Sequence, residues 1–379
     1  MFEKKIVFFT GSRSDYEILR PLILKLKKNY KIIIFVGPHH LQKKFGYTYK
    51  IIQKDKLDIF YKCKSKINYN NVDINKFIGD SINQYKNKLL KSKPDMVIIL
   101  GDRYEVFSFV IACYFLKLKI CHLHGGEITN GSFDDSIRHM ISKMADYHFV
   151  TNIIYKNRLI SMGENPKQIY NFGSIGSLNV KNTKLMSKKP LYKKFKIPIE
   201  CKLVIITFHP ETSSKINYKN QIKIFLNSLN KNKKYFFFFT GCNADPYGNY
   251  FNSQIKKFVL NNYNSNFVEN LGGRDYFSLI KYSNFVLGNS SSGIYEVPLL
   301  KKLTINVGTR QSGRLMPGSI INCELDEIKI RKILMNFEII KKNIKFKNIF
   351  YKKNVLDKIS NKVNKIITLN KNIKVFYEK

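Results

Sequence analysis

The amino-acid sequence predicts an α/β protein built from two Rossmann-like lobes, and three observations predict it. Short apolar runs alternate with segments whose apolar residues recur at i, i+3 and i+4, as parallel strands joined by amphipathic helices require. The alternation is interrupted by a polar, Lys-rich stretch at residues 179–198 and then starts again. The length, 379 residues, exceeds what one ordinary core organises.

The elements follow in order. Residues 5–9 read as a strand that runs into Thr10-Gly11, and residues 15–28 as a helix with Ile18, Leu19, Leu22, Ile23 and Leu26 on one face. Residues 31–36 are the next strand, 74–90 a helix, 96–100 a strand ending at Gly101-Asp102, and 104–116 a helix. A strand at 120–123, a helix at 134–145 and a strand at 148–150 complete the first series. The second series has strands at 203–208, 235–240, 267–269, 285–287 and 303–307. Its helices lie at 218–229, 251–259, 276–282 and from Ser292 onward. Residues 354–369 read as a terminal helix. The expected domains are therefore 1–180, 190–350 and a C-terminal helix and tail at 351–379.

Composition narrows the function. Hydrophobic content of 44% and aromatic content of 14% belong to a packed globular chain. No apolar run nears the roughly 20 residues that span a bilayer, and the run at residues 6–9 is too short for a signal peptide. A soluble, cytoplasmic protein without membrane contact is expected. The six cysteines are scattered with no C-x-x-C pair, which argues for reduced thiols rather than disulfides or a zinc site. The net charge of +39 would suit nucleic acid, but only nine of the 66 basic residues are Arg and the Lys are spread along the whole chain. That spread fits A/T-rich codon usage, so no nucleic-acid partner is expected, although the charge would steer an anionic ligand.

Ligands of open α/β sheets bind beyond the carboxyl ends of the strands, and six polar segments fall there. In the first, Thr10-Gly11-Ser12-Arg13-Ser14-Asp15, a small-residue turn opens a helix beside Arg13, a pattern suited to phosphate. The same turn would serve as a plain capped helix start. It lacks G-x-G-x-x-G, so a dinucleotide cofactor is not expected. In the second, Asp102 follows an apolar strand and is either a cleft acid or a helix N-cap. The third, residues 122–139, gathers His122, His124, Glu127, Asp134 and Asp135 around a Gly-Gly turn. Strand alternation would put His122 and His124 on one face. Either Asp could cap the next helix, but Glu127 has the weakest structural reason to be there. The spacing matches no standard zinc motif, so no metal is expected.

The fourth segment is Phe208-His209-Pro210-Glu211-Thr212, where Pro210 fixes the turn and His209 would face the first lobe across a cleft. The fifth, Gly288 to Glu296, offers Ser290, Ser291, Ser292 and Gly293 at a helix start, more donors than a cap needs. Glu296 could accept from ribose hydroxyls. In the sixth, Arg310 and Arg314 flank a glycine loop, a sensible diphosphate clamp.

Taken together, TGSRSDYE (10–17), LGDRYEVF (100–107), HLHGGEITNGSFDDSIRH (122–139), FHPET (208–212), GNSSSGIYEVP (288–298) and GTRQSGR (308–314) resemble the hydrolysing UDP-N-acetylglucosamine 2-epimerases. The likeness is to the bacterial branch serving sialic and related nonulosonic acids, and it extends to about residue 320. It implies a GT-B-type pair of Rossmann domains with the active site in the interdomain cleft, a homodimer, and neither metal nor nicotinamide. It also implies release of UDP by anti elimination to a 2-acetamidoglucal, then hydration to N-acetylmannosamine. On matching positions, Asp102, Glu127 and Asp134 are implied as acid/base residues and His209 as the group at the sugar-diphosphate. Arg13, Ser290, Ser291, Arg310 and Arg314 match the diphosphate segments, and Glu296 the ribose contact. Asp135, Ser292 and Gly293 complete the expected substrate-binding set.

Other branches carry Glu where this chain has His124, and a Glu pair in place of Asp134-Asp135. The alternative substrates are UDP- or GDP-N,N′-diacetylbacillosamine, on the way to legionaminic acid. A GT-B glycosyltransferase shares the nucleotide site but leaves the acid-rich third segment unexplained. A non-catalytic basic binding protein explains least.

Overall fold

A strand buried on both faces of a parallel sheet needs no polar face, and β1 (Lys5–Thr10) has none: Ile6, Val7, Phe8 and Phe9 are all buried. Around it, the computed structural model describes residues 4–43, 46–63, 74–130, 133–212, 214–242, 247–342, 344, 346, 348–371 and 373–378. They fall into two units, one of Met1–Glu127, Phe133–Gly176 and Phe350–Lys379, the other of Ile128–Ser132 and Ser177–Ile349.

In the first unit, α1 (Arg13–Leu26) leaves β1 through a capping box, with Ser12 and Asp15 exchanging side-chain and backbone hydrogen bonds. β2 (Lys31–Val36), α2 (Tyr49–Lys54), β3 (Ile59–Lys62), α3 (Ile74–Ser92), β4 (Met96–Leu100) and α4 (Tyr104–Phe115) follow. Then come β5 (Ile120–Leu123), α5 (Phe133–Met144), β6 (Tyr147–Val150), α6 (Ile153–Ser161) and β7 (Ile169–Asn171). The seven strands pair in the order β3-β2-β1-β4-β5-β6-β7, every pair parallel. Aromatic rings fill one face: Phe9 stacks on Phe109 at 4.9 Å and meets Tyr85 edge-on at 5.7 Å.

After α7 (Gly176–Asn182) and α8 (Lys188–Lys194), the second unit repeats the design. Its elements are β8 (Leu203–Thr207), α9 (Tyr218–Leu229), β9 (Phe236–Thr240), α10 (Gly248–Leu260), β10 (Ser265–Val268), α11 (Gly273–Tyr282) and β11 (Phe285–Gly288). α12 (Ser292–Tyr295), β12 (Leu303–Val307), β13 (Ile320–Cys323) and α13 (Glu327–Lys342) complete it. The order is β10-β9-β8-β11-β12-β13, again all parallel. The expected two Rossmann-like α/β folds are present.

The differences from expectation have local causes. β3, β7 and β13 lie at sheet edges, are three or four residues long and are mostly half-buried. None has more than three apolar residues in a row to announce it. The helix expected from Ser292 lasts one turn; a 3-10 turn, Val297–Leu300, follows, with Pro298 unable to donate.

The terminal helix, α14 (Val355–Ile366), belongs to the first unit. Lys25 pairs with Asp357 at 2.5 Å, and the Tyr30 hydroxyl donates to Asn364 at 2.8 Å. The buried Lys119 ammonium donates to the carbonyls of Ile366 (2.7 Å) and Ile367 (3.2 Å), where the helix end needs donors. Further on, Lys374 reaches Glu164 at 2.6 Å and the carbonyls of Lys143 and Ala145 at 2.7 Å. Glu164 also meets Lys143 at 2.8 Å and the buried His148 at 3.0 Å.

Burial alone would raise the Glu164 carboxyl, but His148, Lys374 and Lys143 outweigh it and hold it at about 2, against a usual 4.5. A carboxylate depressed on folding stabilises above its unfolded pKa, and that contribution is lost as pH falls through the folded one. Glu164→Gln is therefore expected to lower stability by about 2–3 kcal/mol at pH 7. In urea titrations, its deficit relative to wild type should shrink as pH drops from 4.5 toward 2.

Candidate active site

In each sheet the strand order reverses beside the first strand, between β1 and β4 and between β8 and β11. Connections leave such a point in opposite directions and open a crevice at the carboxyl ends. The six polar segments sit there, three on each sheet, after β1, β4 and β5 and after β8, β11 and β12.

In the first unit the centre is Arg138, on α5, with only 2% of its side chain exposed. Its guanidinium pairs with Asp102 and donates to Asp135 at 3.2 Å and to the Glu127 carbonyl at 2.9 Å. A guanidinium this buried needs such partners, and its fork holds several acceptors at fixed spacing. Asp102 is not a helix cap: α4 starts after Arg103 without a side-chain cap, and Asp102 keeps 20% of its side chain exposed. Asp134 and Asp135 lie in the first turn of α5, where acids suit the helix dipole. Glu127 is 3% exposed. It accepts from the Thr151 hydroxyl at 3.1 Å and lies 3.1 Å from His124 Nδ1.

The two histidines of this segment do not share a strand face. β5 ends at Leu123, and His124 has φ +66, outside extended geometry. His122 stays within the strand, wholly buried, with Nε2 2.9 Å from the Gly101 carbonyl and Nδ1 3.1 Å from Ser142. The carbonyl can only accept, so Nε2 carries the proton. Burial pushes the ring's pKa down to about 3 and keeps it neutral.

Beside them, Arg103 bonds both oxygens of the buried Glu105, at 3.2 and 3.1 Å, and His39 Nε2 at 3.1 Å. Burial pushes Glu105 up, but Arg103 and His39 prevail and hold it at about 2. Arg13, expected at a phosphate, lies in the first turn of α1 and pairs with Glu17 at 2.7 Å.

In the second unit Asn289 joins the ends of β8 and β11. Its side chain accepts from the His209 N–H at 2.7 Å and donates to the His209 carbonyl at 2.9 Å. Its own carbonyl receives Arg310 at 3.2 Å and Gln311 at 2.7 Å. His209 is thereby fixed, 2% exposed, at the switch point. Ser290, Ser291 and Ser292 follow, half-buried, with Ser291 as the N-cap residue of α12 and the Ser292 N–H donating to Ser290 at 3.3 Å. Gly293 packs where a Cβ would lie 2.6 Å from Thr304 Cγ2, and Glu296 closes the short helix. Arg314 lies over the Tyr295 ring, 5.9 Å from its centre, and donates to Thr129 at 3.3 Å.

The loop carrying Arg310 already holds one anion. The Glu211 carboxylate accepts from the Thr309 N–H (2.9 Å), the Arg310 N–H (3.2 Å) and the Thr309 hydroxyl (2.8 Å). Gly308, at φ +84, is required there, since a Cβ would come 2.1 Å from Glu211 Oε1. The Thr309 and Arg310 N–H groups are thus already engaged by Glu211.

A family model described as UDP-N-acetylglucosamine 2-epimerase matches residues 23–364. The chain belongs to the UDP-N-acetylglucosamine 2-epimerase family. Among its relatives, the hydrolysing GDP/UDP-N,N′-diacetylbacillosamine 2-epimerase of Campylobacter jejuni is 37% identical over 336 residues, 86% of each chain. Polysialic acid biosynthesis protein P7 of Escherichia coli is 34% identical over 328 residues, 86% of this chain and 83% of that one. The crystal structure of UDP-GlcNAc 2-epimerase from Neisseria meningitidis bound to UDP-GlcNAc shares the fold, with a TM-score of 0.79 at 18% identity over 95% of this chain and 100% of that one.

Within this epimerase-family chain, Arg138, Asn289 and Glu211 are the residues that sequence reasoning passed over. Each lies inside a quoted motif, but its partner is distant in sequence or belongs to the backbone. Among the described residues, no group of three or more His, Cys, Asp or Glu is placed to hold a metal ion, and no helix is long and apolar enough to cross a membrane. Glu211→Ala would strand the Thr309 and Arg310 N–H groups. It is expected to cost about 2–4 kcal/mol, read as a lower urea midpoint at unchanged m-value.

Proposed function

We propose that the chain is a hydrolysing 2-epimerase of a nucleotide-activated 2-acetamido sugar, with UDP- or GDP-N,N′-diacetylbacillosamine as substrate. The observation that carries the reaction is the buried Arg138 clamp, which holds Asp102 and Asp135 together beside the Glu127 backbone. The substrate follows the Campylobacter relative, which is named for that sugar. UDP-N-acetylglucosamine, the first expectation from the motifs, becomes the second reading, favoured by the Neisseria structure bound to UDP-GlcNAc.

Epimerisation with loss of the nucleotide needs three things. A base must take the weakly acidic C2 proton, a cationic or donor-rich surface must meet the charge of the departing diphosphate, and an acid must protonate the glycal on its other face. Asp102, Asp134 and Glu127 supply the proton-transfer groups. Asp135 acts through Arg138, whose charge it shares. Arg310, Arg314 and Arg13 with the hydroxyls of Ser290, Ser291 and Ser292 stabilise the diphosphate; His209 lies at its sugar end, Gly293 lets the serine turn pack closely, and Glu296 takes the ribose. The homodimer and the cytoplasmic setting implied by the family belong to the same proposal.

The test is incubation with each nucleotide-sugar in D₂O, following free UDP or GDP and the sugar by NMR. Deuterium at C2 of a released mannosamine-type sugar is expected, and no turnover without an added acceptor would point instead to a transferase. Glu127→Gln and Asp102→Asn should each lower turnover by roughly 10²–10⁴ while nucleotide binding persists. Unchanged turnover in both would remove the assignment.

A further inference from the structure

A surface helix buries one face and offers a polar one to water. α13 does not follow that pattern. Its inner side buries Ile330, Leu334 and Phe337 in the core of the second unit. On the opposite side, at i, i+7 and i+11, Ile328, Met335 and Ile339 keep 76%, 71% and 66% of their surface exposed. The three form a straight apolar stripe about 16 Å long on the outside of the helix.

The stripe lies in a cationic layer. α9 packs against both α10 and α13, and all three helices send apolar residues into one core. Together they carry nine basic residues and two acidic ones, Glu327 and Glu338, both on α13. Three of the cations are engaged: Arg331 by Glu327 at 2.8 Å, Lys329 by Glu324 at 2.8 Å and Lys256 by Glu269 at 3.5 Å. Lys219, Lys223, Lys257, Lys332 and Lys342 are exposed and, among the described residues, enter no ion pair. By helical spacing Lys332 and Lys342 flank the stripe, about 40° to either side. Lys234, also exposed, donates to the Met335 carbonyl at 3.3 Å.

Two kinds of cover suit this face poorly. A second copy meeting it in the same way would set like charges against each other. A nucleic acid would engage the lysines and leave the aliphatic side chains without a partner. An anionic bilayer engages both, since its headgroups attract Lys and its acyl boundary accepts aliphatic groups. We propose that the outer face of α13 is a peripheral docking surface for a membrane rich in anionic phospholipid. Ile328, Met335 and Ile339 enter the boundary between headgroups and acyl chains, and Lys332 and Lys342 meet the phosphates. The sequence-based expectation of no membrane contact considered spanning segments, which a helix lying on the surface does not need. The proposal is independent of the epimerase reading, because no residue given a part in that reaction lies on α9, α10 or α13.

The full-length protein is sedimented with vesicles of phosphatidylcholine, alone or with about one-quarter phosphatidylglycerol. Binding to the anionic vesicles that weakens as KCl is raised is expected, with little binding to the neutral ones. Replacing Ile328, Met335 and Ile339 together by Ser, or Lys332 and Lys342 together by Gln, should each weaken binding by about tenfold or more, with the urea midpoint kept. Lys86→Gln with Lys91→Gln, on α3, removes the same charge from the first unit and should change binding by less than about threefold. The proposal is overturned if wild type ignores the anionic vesicles, if the α3 pair weakens binding as much as the α13 pair, or if the triple Ser variant binds like wild type. Tighter binding of a duplex oligonucleotide, unaffected by the Ser substitutions, would assign the face to nucleic acid. A dimer that those substitutions dissociate would assign it to a second copy. Either result also overturns it.

Discussion

Everything at the candidate site depends on β1 and β8 each pairing in parallel with a strand on either side. Such a strand must be apolar on both faces, and the chain must leave it in opposite directions to reach its two neighbours. The end of each central strand thus becomes the place where polar side chains gather without disturbing a core. Thr10 and Thr207 close β1 and β8, and the reactive-looking residues begin within a few positions of them. The apolar runs and the polar turns are two results of one packing rule.

The charges drawn into these ends follow a second rule, that a buried ion needs a partner. Arg138 has two aspartates and a carbonyl, Glu105 has Arg103 and His39, and Glu211 has three donors from a glycine turn. None of these networks reads as a stability device alone. Apolar residues of similar size would pack as well at lower cost, whereas a clamp fixes the direction of a carboxylate. Asp102 keeps its accessible edge because Arg138 holds the rest of it still.

The sequence exposed the fold wherever burial is two-sided. β1, β4, β8, β9 and β11 are built on continuous apolar runs, β12 mixes Thr304 and Asn306 with three apolar residues, and all six lie where they were expected, within a residue at either end. β3, β7 and β13 escaped because an edge strand has little buried surface to advertise. At the site, the residue types and their strand-end positions were legible, but their pairings were not. Asp102 meets Arg138 across 36 positions, and Glu211 meets Thr309 across 98. The backbone at His124 was also hidden, because alternation along a strand says nothing about where the strand stops. Only the packing of Gly125 and Gly126 determines that.

The return of α14 and residues 373–378 to the first unit has a consequence for biosynthesis. As the polypeptide emerges from the ribosome, the second unit receives its last residue before the first one does. The amino-terminal sheet must wait, with the Lys119 ammonium still wet and Glu164 still lacking Lys374, until residues 366–374 have been made. The half that is made earliest is therefore sealed last, and a chain cut after residue 349 would keep every residue of the second unit while the first lacked its closing segment.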